Sequence, residues 1–132
     1  MTRIADLLFE VRMLKDLNRT GYAFLGAGEE SIAEHCFSTA FLCFVMARLE
    51  PGVDAEKLIS MALVHDAAEA RTGDLNYVHK QYNTVDEPHA VSDLIQGLEW
   101  AKDIPELIEE FNKGETREAQ LANDADQLSL ML

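Results

Sequence analysis

The 132-residue sequence has few basic residues, with 11 Lys and Arg against 24 Asp and Glu and a formal net charge of −13. A surface of that sign repels the phosphate backbone of a nucleic acid, which argues against binding to a nucleic acid polymer. A small phosphate ester needs a local cation to overcome the same field. The acidic residues therefore either cover the surface or, in part, hold a metal ion.

Long hydrophobic runs are also missing. The longest, Phe41 to Ala47, is far shorter than the roughly 20 residues that a membrane-spanning helix needs. Residues 1–10 carry acids among the leucines and lack a secretory apolar region. The hydrophobic content of 48% is nevertheless enough for one core in a chain of this length. We therefore expect a single cytoplasmic domain over residues 1–132 that does not bind a membrane.

Cysteine is scarce, and Cys36 and Cys43 are the only two. Their spacing is two helical turns, or about 10 Å of rise, which is too far for a disulfide within one helix. We expect both to be reduced thiols that line a core.

Helical periodicity runs through almost the whole chain, and no β-type alternation persists. The spacing of Ser31 with Glu34 and of Asp103 with Glu106 predicts capping boxes, and Asp54 is a good N-cap. No C-cap follows the last segment, which indicates a chain that continues past Leu132 or is cut there. Helices are predicted over Arg3–Leu17, Ser31–Leu49, Asp54–Arg71, Ala90–Ala101, Ile104–Phe111 and Thr116–Leu132, with Leu75–Pro88 a loop or short helix.

An adjacent pair, His65-Asp66, follows the apolar part of the third predicted helix. A buried histidine beside a buried carboxylate needs a partner or a metal, because burying a polar group without a partner costs on the order of several kcal/mol. Glu69 can share one side of that helix with the pair. The alternative is a hydrogen-bonded His–Asp pair that only caps the helix.

Three motifs lie in order between Arg19 and Leu128: S-x-x-E-H at residues 31–35, H-D-x-x-E-x-x-x-G-D at residues 65–74, and D-x-D-x-L at residues 124–128. Together with Arg19, they resemble the HD-domain superfamily of metal-dependent phosphohydrolases and, within it, the 5'-deoxynucleotidase family. The resemblance implies an all-α HD-domain helical bundle, a homodimer, and hydrolysis of deoxynucleoside 5'-monophosphates to deoxynucleosides and phosphate.

The same resemblance implies a role for each matching residue. Glu69 is the catalytic acid/base, Arg19 holds the substrate phosphate, and Asp74 accepts a hydrogen bond from the sugar 3'-hydroxyl. The four metal ligands that the resemblance implies are two imidazoles and two carboxylates, a set that suits Mn, Co, Fe, Ni or Zn better than Ca or Mg. Such an ion lowers the pKa of a bound water and polarises the phosphoryl group. The implied metal ligands are His35, His65, Asp66 and Asp126.

Several positions leave alternatives open. Asp124 and Asp126 are about 200° apart on a helix and should not both face one metal; the A-D-x-L ending of the family matches Asp126. Glu34 either caps its helix or orients a ligand. Asp74 is equally a turn residue after Gly73. Two histidines, His79 and His89, are expected to be loop residues and not ligands, and three aromatic residues either pack a core or line a pocket: Tyr77, Tyr82 and Trp100.

Function has alternatives as well. Thr20 stands directly after Arg19, where some family members have a Trp that crowds a ribose 2'-hydroxyl, so the choice between deoxy- and ribonucleotides is open. An HD-type phosphodiesterase or polyphosphate hydrolase, a nucleotide-sensing regulatory HD domain, and an acidic helical interaction module are the rival interpretations.

Overall fold

The computed structural model describes residues 2–132, apart from the side chain of Ala23. Across those residues every regular element is helical and no strand forms, which confirms the all-α prediction. Four short 3₁₀ helices lie at Met13–Lys15, His79–Gln81, Glu99–Ala101 and Ser129–Met131. The α-helices are α1 (Thr2–Arg12), α2 (Tyr22–Leu25), α3 (Ile32–Leu49), α4 (Ala55–Val64), α5 (Glu69–Thr72), α6 (Glu87–Leu94), α7 (Asp103–Lys113) and α8 (Arg117–Leu128).

The chain forms two compact units, each made of two segments. The first unit comprises residues up to 34 and residues 67–101, and the second comprises residues 35–66 and 102–132. That residues 1–132 are a single domain stays a prediction.

Arginine side chains connect the helices of the first unit. Arg3 donates from Nε to the carbonyl of Gln96 and from Nη2 to that of Leu94, both at 2.9 Å. Arg71 binds both carboxylate oxygens of Glu10, at 2.9 and 2.7 Å. These contacts tie α1 to the end of α6 and to α5.

The loop before α3 is closed by backbone pairing. The amide of Arg19 donates to the carbonyl of Glu30, and the amide of Ile32 donates to the carbonyl of Leu17, both at 2.8 Å. Ser31 and Glu34 then start α3 with the predicted capping box: the Ser31 amide donates to Glu34 Oε2 at 2.6 Å, and the Glu34 amide donates to Ser31 Oγ at 3.1 Å. The cap role of Glu34 is therefore confirmed.

The second unit has its core between α4, α7 and α8. Asp54 caps α4 by accepting from the Lys57 amide at 3.0 Å, as predicted, and Thr116 caps α8 by accepting from the Ala119 amide at 3.1 Å. The buried members of this core are Cys43, Leu58, Met61, Ala62, Phe111, Ala119, Leu121, Ala122 and Ala125. Both Cys36 and Cys43 are buried and form no disulfide, in agreement with the sequence.

Three expectations about the helices were wrong. The predicted third helix ends at Val64 and α5 begins at Glu69, with a turn over residues 65–68, so His65, Asp66 and Glu69 do not share one regular helix. The N-cap of α7 is Lys102, so Asp103 and Glu106 form no capping box. A short helix, α2, lies between the first two predicted helices, where none was predicted, and Gly26 ends it in a left-handed conformation.

By length and composition, α3 passes the test for a membrane-spanning helix, although its apolar run is interrupted at both ends by Glu34 and Arg48. The core helix of a soluble protein passes the same test. The absence of membrane binding therefore stays a prediction.

Candidate metal centre

The four predicted metal ligands all lie in the second unit, at the ends of three helices. His35 stands in the first turn of α3, His65 and Asp66 directly follow α4, and Asp126 stands in the last turn of α8. Both histidines are buried, with 0% of His35 and 5% of His65 exposed. The helix ends thus bring donor groups from distant parts of the chain to one position.

The distances between these side chains are short. His35 Nε2 lies 2.7 Å from Asp126 Oδ1 and 3.7 Å from Asp66 Oδ2. His65 Nε2 lies 3.1 Å from Asp66 Oδ2 and 3.4 Å from Asp126 Oδ1. Each histidine therefore points the same ring nitrogen at the same two carboxylates.

Both imidazole rings are held at the opposite nitrogen, Nδ1. His65 Nδ1 lies 2.7 Å from the carbonyl of Ala62, which can only accept, so this nitrogen carries the proton. Ser129 Oγ lies 2.8 Å from His35 Nδ1 and donates its own hydrogen to the carbonyl of Asp126 at 2.9 Å. Since the hydroxyl gives its one hydrogen to that carbonyl, its oxygen can accept from His35 Nδ1, which leaves Nε2 available to bind a metal.

The position of the ring proton decides whether Nε2 offers a lone pair or a hydrogen. In a neutral ring with a proton on Nδ1, Nε2 carries a lone pair, and here it faces carboxylate oxygens. The contact of His65 Nε2 with Asp66 lacks the angle of a hydrogen bond, so within the described residues this buried atom has no hydrogen-bond partner. A cation between the rings and the carboxylates would separate the nitrogen lone pairs from the carboxylate oxygens and give the buried nitrogen a partner. The mixed N/O donors fit a divalent transition metal.

In the metal-free protein a proton serves as that cation. Burial has the largest influence on His65 and disfavours its charge, but the carboxylates of Asp126 and Asp66 outweigh it and raise the pKa of His65 to about 10. Burial likewise disfavours the Asp126 carboxylate, yet its contacts with His35 and His65 hold the pKa of Asp126 well below its usual range.

Two residues of this centre escaped the sequence analysis as site residues. Ser129 is buried and positions His35; its signal was a hydroxyl three residues after Asp126, one helical turn on. Cys36 was assigned to a core, but its sulfur groups with a nitrogen of His65 and an oxygen of Asp66, all within 4.8 Å of one another.

The predicted phosphate-binding residue, Arg19, lies in the first unit. Its Nη1 is 3.3 Å from Glu30 Oε1, and both side chains are mostly buried. The backbone amide of Arg19 also donates to the carbonyl of Glu30, so the two residues are joined through both their main chains and their side chains. Glu30 was not singled out in the sequence.

Asp74, the predicted sugar-binding residue, contacts the residue after Arg19. Its Oδ2 accepts from the Thr20 amide at 3.0 Å and from the Thr20 hydroxyl at 3.2 Å. Gly73, with φ 71° and ψ 171°, turns the chain into Asp74 in a conformation that is essentially restricted to glycine. Asp74 thus anchors the segment that carries Arg19.

The remaining predicted positions are placed as follows. Glu69 is half-buried and opens α5, and Asp124 is exposed on α8, away from the ligand atoms of its neighbour Asp126. His79 and His89 are exposed. Neither lies in a loop as expected, because His79 opens a 3₁₀ helix and His89 lies in α6. Tyr77, Tyr82 and Trp100 are exposed, which excludes the core alternative for these three aromatic residues.

Comparison with known proteins matches residues 11–132 of this chain to the HD domain family. The chain belongs to the HD domain family. This HD domain is 30% identical over 131 residues to a 5'-deoxynucleotidase of Dictyostelium discoideum, covering 90% of this chain and 69% of the relative. It is also 30% identical over 128 residues to a 5'-deoxynucleotidase of Schizosaccharomyces pombe, covering 89% of this chain and 64% of the relative.

A solved structure of a protein from Pyrococcus horikoshii OT3 has the same fold as this HD domain. The TM-score is 0.79 at 32% sequence identity, over 96% of this chain and 74% of that one. The HD domain spans roughly two thirds of the length of the two curated relatives that it matches.

Proposed function

We propose that this HD domain is a metal-dependent phosphohydrolase that converts deoxynucleoside 5'-monophosphates into deoxynucleosides and inorganic phosphate. One observation carries the proposal: two buried histidines, each held at Nδ1, present Nε2 to the same pair of carboxylates. Buried polar atoms of a purely structural core are normally hydrogen-bonded, and within the described residues His65 Nε2 is not. The relatives from Dictyostelium discoideum and Schizosaccharomyces pombe are 5'-deoxynucleotidases, and their activity supports this substrate class.

The metal donors in this proposal are His35, His65, Asp66 and Asp126, and the ion is Mn, Co, Fe, Ni or Zn. Held by these residues, such an ion would lower the pKa of a water and polarise a phosphoryl oxygen. The protein contributes rigid donors, because Ser129 and the Ala62 carbonyl fix the orientation of both rings before a metal arrives.

Arg19 binds the substrate phosphate in this proposal. A guanidinium carries five N–H donors in a planar fork, so contact with Glu30 through Nη1 is compatible with phosphate binding through other N–H groups. In a chain with a net charge of −13, a fixed cation is needed to attract an anionic substrate. Asp74 holds Thr20 and thereby keeps the Arg19 segment in place.

Glu69 supplies the proton for the leaving group. As water attacks phosphorus, the bond from phosphorus to the sugar 5'-oxygen breaks, and that oxygen is a poor leaving group unless it is protonated. The Glu69 carboxyl donates its proton to this oxygen, which gives the nucleoside, and the phosphoryl group leaves as inorganic phosphate. Its position at the start of a short helix beside a turn leaves the side chain half-buried, so that it is accessible to a ligand.

We also propose that the protein is a cytoplasmic homodimer. The apolar face of α3 supports this, since Phe37, Phe41 and Phe44 are exposed and their rings pack along the helix in succession. A second copy that buries this face removes apolar surface from water. Sedimentation analysis is expected to show a dimer, and Phe41→Glu a monomer. Phe9→Glu is the control, because it changes a phenylalanine of α1 that is even more exposed than Phe41.

Phosphate release from a panel of nucleotides tests the activity. The panel contains deoxy- and ribonucleoside 5'-monophosphates, a cyclic nucleotide and a nucleoside triphosphate, each with Mn or Co. We expect metal-dependent release from the deoxynucleoside monophosphates, abolished in His65→Ala and lowered about 100-fold or more in Glu69→Gln. His89→Ala and Glu56→Gln change exposed residues of the same types and should keep full activity.

Other outcomes favour the rival functions. Nucleotide products are followed by chromatography as well, because opening of a cyclic nucleotide gives a monophosphate and releases no phosphate. Conversion of the cyclic nucleotide into a monophosphate, or loss of phosphate groups from the triphosphate, without cleavage of the monophosphates favours a phosphodiesterase or a polyphosphate hydrolase. A bound metal without release from any member of the panel contradicts the nucleotidase proposal and favours a nucleotide-sensing domain.

A further inference from the structure

Cys36 stands beside the predicted ligands on a different side of α3 from its neighbour His35. Its sulfur, a nitrogen of His65 and a carboxylate oxygen of Asp66 all lie within 4.8 Å of one another. Metal–sulfur and metal–nitrogen bonds are about 2.3 and 2.1 Å long, so two donors on one ion are at most about 4.4 Å apart. The thiol therefore needs a shift of only a few tenths of an ångström to share an ion with His65 and Asp66.

A second observation points to a ligand at this position. His65 Nε2 is buried and, within the described chain, has no hydrogen-bond partner, although Asp66 Oδ2 lies 3.1 Å away. Cys36 itself is only 5% exposed, so its sulfur lies in the same buried region as the His65 ring and groups with one of its two nitrogens. An interior position of this kind favours an ion over bulk water, because the donors around it are already desolvated.

The other cysteine provides an internal comparison. Cys43 lies two turns further along α3, is fully buried and belongs to the apolar core with Leu58 and Met61. No metal-compatible group in the described residues includes it. Burial raises the pKa of the Cys43 thiol to about 12, as expected for an inert core cysteine. Both thiols belong to cysteines of α3, and they differ only in the residues that surround them.

We propose that Cys36 is a further donor to the metal centre, which makes this HD domain select a thiophilic divalent ion, zinc or cobalt, over manganese. The inference rests on the proposed metal-dependent function, because it adds a ligand to that same centre. On binding, the S–H bond of Cys36 breaks, its proton leaves to solvent, and the sulfur bonds to the ion without any change of oxidation state. Soft thiolate donors favour such ions, whereas carboxylates suit manganese.

Cobalt titration of the metal-free protein tests the inference without using activity. A thiolate bound to Co²⁺ produces a near-ultraviolet sulfur-to-metal charge-transfer band, which imidazole and carboxylate donors do not produce. We expect this band in the wild type and in Cys43→Ala, and its loss in Cys36→Ser and Cys36→Ala. In the two Cys36 variants, the zinc dissociation constant should rise about tenfold or more and the manganese constant should change less than about threefold.

The control variant also covers the case in which the Cys36 variants fail to fold. The chain has only two cysteines, so in Cys43→Ala any charge-transfer band has to come from Cys36. Cobalt binding without a band, or a band that persists in Cys36→Ser, overturns the inference while the proposed phosphohydrolase stands. If the wild type binds neither cobalt nor zinc, the metal-dependent function and this inference fail together.

Discussion

Ser129 Oγ lies 2.8 Å from Nδ1 of His35 and donates its hydrogen to the carbonyl of Asp126, so one buried hydroxyl orients one predicted ligand and contacts the backbone of another. The ring of His35 is thereby oriented so that Nε2 is directed at Asp126 Oδ1. The Ala62 carbonyl does the same for His65. Ring orientation is thus a property of the protein before metal binding.

Ser129→Ala is expected to weaken metal binding about 10- to 100-fold, because His35 loses the acceptor that fixes its tautomer and orientation. Calorimetric titration with cobalt measures the effect. Ser92→Ala, at an exposed position of α6, is the matched control. An unchanged affinity in Ser129→Ala contradicts the orienting role.

The stability of the metal-free protein should depend on pH through His65. Its pKa of about 10 in the folded protein exceeds the ordinary value of 6.5, so the stabilisation is complete below pH 6.5 and is lost as the pH rises towards 10. The lowered pKa of Asp126 acts oppositely: its contribution is present above the ordinary value of 3.8 and is lost as the pH falls below it.

Urea unfolding in the presence of a chelator checks this pH dependence. The contribution of His65 and Asp126 to the free energy of unfolding is expected to be highest between about pH 4 and 6.5 and to fall by pH 9. His65→Ala should flatten the fall at high pH, and His89→Ala should not. A wild-type protein that is equally stable at pH 6 and pH 9 contradicts the prediction.

Thr20→Val should raise the KM for a deoxynucleoside monophosphate several-fold while kcat changes little. The substitution removes the hydroxyl bond to Asp74 Oδ2 and keeps the amide bond, a loss of about 1 kcal/mol or roughly fivefold. Steady-state kinetics measure it, with Thr84→Val at an exposed loop position as the control. No change in KM indicates that Asp74 does not act on the Arg19 segment through this hydroxyl.

Met61→Ala is expected to destabilise the protein by about 2–5 kcal/mol, because a fully buried side chain leaves a cavity between α4, α7 and α8. Leu63→Ala, two residues on in α4, changes a side chain that is 59% exposed and should cost less than about 0.5 kcal/mol. Denaturant unfolding compares the two variants. Equal losses contradict the core described here.

The sequence alone determined the features that depend on neighbouring residues. The capping box of Ser31 and Glu34 and the cap of Asp54 are bonds across one helical turn, so spacing predicts them. The helical class follows from periodicity, and the predicted metal ligands follow from motifs. Where a similar spacing failed, at Asp103 and Glu106, the chain entered its helix one residue earlier, at Lys102.

The tertiary structure decided which distant side chains meet. His35 and Asp126 are 91 residues apart in the chain, and Ser129 and His35 are 94 apart, so neither contact has a local signal. Asp74 and Thr20, 54 residues apart, pair in the same way. Cys36 and Cys43 look alike in sequence, and only packing places one sulfur in the apolar core and the other beside His65, because side-chain surroundings depend on the helices that pack against a residue and not on its neighbours in the chain.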